Sequence, residues 1–181
     1  MQPRPMESDD MMRATLGLVM ALCLCPRSSS AQRSADSAPA WEGTWRGELT
    51  NFPARAGAPR VTVVREVGAW PQVDNSCSLW RTTYLEDGVV KGVKDYQLCR
   101  GAGADDFAID EGGGLRLASR WIGEVLITPF KFDDLLLIAS TRVQGNMMVE
   151  EIVTVRDKPA TTGALPLRAQ GVQRLELRRQ R

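Results

Sequence analysis

Side chains able to do chemistry are few here, and their types exclude more than they offer. The 181-residue chain contains no histidine. That removes histidine general bases, the serine–histidine–aspartate triad, and histidine ligation of zinc or haem. Cys23 and Cys25 sit in an apolar N-terminal run, so Cys77 and Cys99 are the cysteines left to the body. They lack Cys-x-x-Cys spacing, and no helix N-terminus precedes them to activate a thiolate. A nucleophilic serine would need lysine as its base. Lys91, Lys94, Lys131 and Lys158 all fit exposed or turn positions.

Acidic neighbours recur at Asp105-Asp106, Asp110-Glu111, Asp133-Asp134 and Glu150-Glu151. Successive residues of a regular strand point to opposite faces, so Glu150 and Glu151 cannot work as a catalytic pair. The other three pairs lie at or near turns, where aspartate caps backbone and meets water. EF-hand spacing is absent, and so are Gly-x-Ser-x-Gly, Gly-x-Gly-x-x-Gly and a phosphate loop. No metal and no cofactor is expected. Twenty-three basic against 22 acidic residues give a net charge of +1, and no nucleic-acid partner is implied. The arginines near the C-terminus are interrupted by Glu176 and read as a solvated strand face.

The elements that position these groups read as β-strands. Runs rich in Val, Ile, Leu, Thr and aromatics fall at 44–50, 60–67, 78–85, 89–99, 106–109, 115–121, 125–130, 135–142, 147–155 and 172–178. Tight turns rich in Gly, Asp and Asn separate most of them, with Glu86-Asp87-Gly88 as a hairpin signal. Short connections impose antiparallel neighbours. The expected fold is all-β: a single antiparallel up-and-down barrel of 8–10 strands, with a two-sheet sandwich as the alternative. A barrel leaves no free edge. Cys77 and Cys99 lie almost symmetrically about the 86–88 turn, which predicts a disulfide across that hairpin worth ~3 kcal/mol.

Gly43-Thr44-Trp45 on the first strand, with this strand count, resembles the lipocalin-like (calycin) group across residues 41–178. The resemblance implies an arginine on the last strand stacked over Trp45 to close one barrel end, and Arg174 or Arg178 is expected in that role. The chain looks like an exported bacterial member of the group.

Export is also read from the N-terminus. Met11-Met12-Arg13 is followed by the uncharged run Ala14 to Cys25, then Pro26 and the small residues Ser29-Ser30-Ala31. This is the layout of a secretory signal over residues 1–31, with translation expected to start at Met11 or Met12. The run is shorter than the ~20 residues of a comfortable membrane span. Leu22 and Leu24 before the cysteines do not suit a lipid anchor. Residues 32–40 read as a flexible leader and 41–181 as one domain, exported to a periplasm or the medium. No stable membrane span is expected after cleavage, and the oligomeric state is left open.

Alternation gathers Trp45, Trp80, Tyr84, Tyr96, Trp121 and Phe130 as a candidate ligand-binding interior. Aromatic walls with a few polar groups suit a small hydrophobic or amphipathic ligand. A filled core is the competing expectation. Two further readings stay open: an isomerase- or cyclase-type enzyme using at least two of Arg81, Glu124, Tyr84 and Tyr96 in one pocket, and a structural module of the cell envelope without ligand.

Overall fold

A computed structural model describes residues 40–156 and 167–181. The expected signal, the leader up to residue 39 and residues 157–166 lie outside the described residues. Ten strands follow in order: β1 (Gly43–Phe52), β2 (Val61–Val67), β3 (Cys77–Glu86), β4 (Val89–Arg100), β5 (Asp106–Gly112), β6 (Leu115–Ile122), β7 (Val125–Phe132), β8 (Leu135–Gln144), β9 (Met147–Arg156) and β10 (Arg168–Arg179). Each pairs antiparallel with its sequence neighbours, and β1 pairs with β10 to close the barrel. No helix long and apolar enough to cross a membrane occurs among the described residues.

Turn chemistry sets the register. Asp87 and Gly88 both take positive φ, at 49° and 78°, the backbone of a two-residue hairpin turn. That turn alone would place Cys77 opposite residue 98. The ladder shifts by one between Tyr84 and Leu85, because Lys91 is an extra residue on β4. The bulge brings Cys77 opposite Cys99, where their sulfurs are bonded at 2.02 Å. The disulfide lies on the outer face, with the 68–76 loop anchored beside it by the Arg100 N–H donating to the Ser76 carbonyl at 2.9 Å.

The inner face alternates as the pleat requires. One barrel end is filled. All five tryptophans of the chain sit there. Trp41 meets Trp70, Trp80 and Trp121 at ring separations of 5.2, 5.8 and 5.5 Å. Trp70 also meets Phe107 at 4.8 Å, so the segment after β2 staples the filled end. Gly47 lets β1 and β10 approach closely: a Cβ there would overlap the Glu176 carbonyl and lie 2.9 Å from the Leu177 Cα.

Closure uses a different arginine from those expected. Arg179 lies over the Trp45 ring at 4.1 Å and donates to the carbonyls of Glu42 and Ala40, while the Trp45 indole N–H donates to the Trp41 carbonyl at 2.9 Å. The register explains the correction. Trp45 faces Arg179 across the ladder, and inward positions of β10 are odd-numbered. Arg174 and Arg178 therefore point outward, and Arg174 binds Glu151 at 2.7 Å and stacks over Phe52. Replacing Arg179 by Gln is expected to lower stability by ~1–2 kcal/mol, through the lost ring contact and carbonyl partners. The same change at Arg178 should stay within ~0.5 kcal/mol. Urea melts of the two variants check this, and equal losses would contradict the assignment.

Candidate functional site

Two inward positions of opposite charge define the middle of the lumen. Arg65 shares its face of β2 with Val63 and Val67; Glu150 shares its face of β9 with Met148 and Ile152. Both are buried, at 3% and 7% exposure. The guanidinium grips the carboxylate with two bonds, Nη1 to Oε2 at 2.6 Å and Nη2 to Oε1 at 3.1 Å. Between β2 and β9 run β1 and β10, so the pair is a strut across the lumen rather than a neighbour contact. Arg65 Nε also donates to Thr82 Oγ1 at 3.0 Å, and Thr141 Oγ1 donates to Glu150 Oε2 at 2.9 Å. Trp80 lies 4.9 Å from the guanidinium and thus joins the strut to the tryptophan cluster.

Beyond the strut the barrel is open. Inward side chains near the other end become exposed, reaching 53% at Leu115 and 67% at Phe132, against 0% at Trp45 in the filled end. A cup of about 90 Å³ lies between. Arg65, Glu150, Thr82 and Thr141 form its polar floor. Ile109, Leu117, Leu126, Phe130, Ala139 and Ile152 form one apolar wall; Trp80, Tyr84 and Tyr96 form the other, with Lys94 and Glu111 also lining the cup. Ser119 and Thr128 satisfy each other at 2.7 Å. A volume below the roughly 150 Å³ that admits benzene suits a chain of a few carbons or one end of a larger molecule.

Electrostatics in the cup favour holding over proton transfer. Burial pushes the Glu150 carboxyl up, yet the Arg65 charge and hydrogen bonds, the Thr141 hydroxyl and the Lys94 charge together outweigh it, so its pKa falls below the ordinary 4.5. Arg65 is likewise desolvated, but Glu150 holds it firmly protonated. The Tyr84 phenol is raised, chiefly by burial and also by Glu150, with Arg65 opposing. Tyr96 is pushed up to about 12, first by desolvation and then by the charge and hydrogen bonding of Glu111. Both phenols are neutral donors at physiological pH.

Of the aromatics expected inside, Trp80, Tyr84, Tyr96 and Phe130 line the cup. Trp45 and Trp121 belong to the filled end instead. Tyr84 and Tyr96 converge in one pocket, but Arg81 and Glu124 do not join them. Arg81 is on the outer face bound to Asp95 at 2.9 Å, and Glu124 sits in the β6–β7 turn with φ 69°. The acidic turn residues make local contacts: Asp106 with Arg120, and Asp110 with the Gly112 N–H and Arg116. No cluster of three metal-ligating side chains occurs among the described residues. Missed from the sequence were Arg65, Glu150 and Lys94, whose parity with apolar neighbours was the available signal. No family model, curated protein or solved structure matches the chain.

Because the folded-state pKa of Glu150 is depressed, its contribution to stability is complete above the unfolded value and disappears as pH falls through the folded one. Glu150→Gln leaves Arg65 buried without its counter-charge and should cost ~3 kcal/mol at neutral pH. The gap between wild type and variant should close as pH drops below the ordinary 4.5. Chemical denaturation from neutral to acid pH reads both; a gap that stays constant contradicts the strut.

Proposed function

We propose that this chain is an exported, calycin-type binding protein whose open half-barrel takes a small hydrophobic or amphipathic ligand. The single observation that carries this reading is the cup itself. It has one apolar wall that is aliphatic apart from Phe130, one aromatic wall and a polar floor whose hydrogen-bonding groups are mutually satisfied. A floor of that kind does not demand a matching polar ligand, so apolar atoms can approach it at little cost. Exposed inward Leu115 and Phe132 extend the apolar side toward the rim, where a longer molecule would continue. The Cys77–Cys99 bond supports an oxidising compartment, in line with the signal-like N-terminus.

Binding is favoured over proton-transfer chemistry by the same groups. Two neutral phenols and a Glu150 carboxylate gripped by Arg65 and Thr141 are suited to recognition.

A methyl-resolved NMR titration with 1-hexanol tests the proposal. Saturable shifts are expected at Ile109, Leu117, Leu126 and Ile152. Ala139→Leu, which fills the cup without removing a hydrogen bond, should weaken them by at least about tenfold while leaving the rest of the spectrum in place. Shifts confined to Val153 and Val172, which line a shallow groove with Phe52 and Arg174 on the outer face, would overturn it.

A further inference from the structure

Resting on that binding reading, we infer that the cup selects a ligand with an anionic end, such as a short monocarboxylate, held by the Lys94 ammonium between Tyr84 and Tyr96. Lys94 faces inward, opposite Thr82 across the β3–β4 ladder. Its nitrogen lies 5.8 Å from the Tyr84 ring and 5.9 Å from the Tyr96 ring, so two aromatic faces hold the stem in the mouth. No ion pair joins it to a carboxylate among the described residues, whereas most arginines of the barrel have one.

The other cation of the cup, Arg65, already has its carboxylate. Glu150 is gripped by Arg65 and Thr141, so the strut presents a neutralised pair. Glu111, inward on β5, interacts with the neighbouring Tyr96 phenol. Glu86, also inward on β3, stands at the hairpin end, half-exposed to water. What remains beside Tyr84 and the apolar cavity is one ammonium without an ion-pair partner, with the Glu111 carboxylate on the far side of Tyr96. Tyr84 stays protonated and presents its hydroxyl as a second donor to the same oxygens. The chain of the ligand would run against Leu117, Phe130 and Ala139. A carboxylate at a partly exposed ammonium gains a charge-assisted hydrogen bond, and about a tenfold preference over the alcohol follows after solvent screening.

Three probes of equal length separate the possibilities: hexanoate, 1-hexanol and hexylammonium, titrated into the intact protein at neutral pH and low salt. Hexanoate should bind about tenfold tighter than the alcohol, and hexylammonium weakest. Lys94→Met should bring hexanoate down to the alcohol's affinity without changing binding of the alcohol; Lys94→Arg should keep the preference. Equal affinities for acid and alcohol, an unchanged hexanoate affinity in Lys94→Met, or tightest binding of hexylammonium would overturn the anion assignment and leave the cup reading intact. If none of the three shifts the cup methyls, the cup reading fails and the assignment falls with it.

Discussion

The Arg65–Glu150 strut is the constraint on which the rest of this barrel turns. Two ions held in a lumen lose most of their hydration, a loss of several kcal/mol each that only good geometry and full hydrogen bonding offset. Here the geometry is bidentate, and Thr82 and Thr141 take up further valences. Placing such a pair halfway along the lumen divides it. On one side, indoles and Phe107 pack edge to face or tilted in one cluster, where aromatic pairs add ~0.5–1.5 kcal/mol each beyond burial. On the other side the walls stand apart and open to solvent. Trp80 belongs to both halves, stacked on Trp41 behind and forming cup wall in front.

Closing the sheet is the second requirement, since a ten-strand antiparallel sheet with free edges would offer two templates for aggregation. The seam between β1 and β10 is drawn tight by Gly47 and locked by Trp45 under Arg179. Outside it, Glu151 accepts from Arg174 and lies 3.5 Å from Arg142, tying β8, β9 and β10 together on the solvent face. Charges therefore serve both faces of the same strand: Glu150 inward for the lumen, Glu151 outward for the β8–β9–β10 solvent face.

Much of this was legible in the sequence, because strand propensity and turn residues act locally. All ten expected strands are present, with β5 running on to Gly112 rather than ending at Ile109 and β10 beginning earlier, at Arg168 rather than Val172. The hairpin disulfide was readable from the symmetry of Cys77 and Cys99, although only the Lys91 bulge makes their pairing possible. What could not be read is long-range. Which arginine stacks on Trp45 depends on the β1–β10 register, set by strands far apart in sequence, and the choice between even and odd positions inverts the answer. Arg65 and Glu150 are separated by 85 residues, and nothing local says they meet. Their signal was parity: each is a charge on the apolar face of its strand. Lys94 carries the same mark beside Tyr96 and Leu98.

The central claim is that the half of the lumen beyond the strut is hollow. Crystals of the protein pressurised with xenon test it most directly, because the atom settles in apolar space and is seen in diffraction. One xenon site is expected among Leu117, Leu126, Phe130 and Ala139, above an intact Arg65–Glu150 pair. Density showing the Tyr84, Tyr96 and Phe130 rings folded down onto that pair, with no room for the atom, would contradict the account.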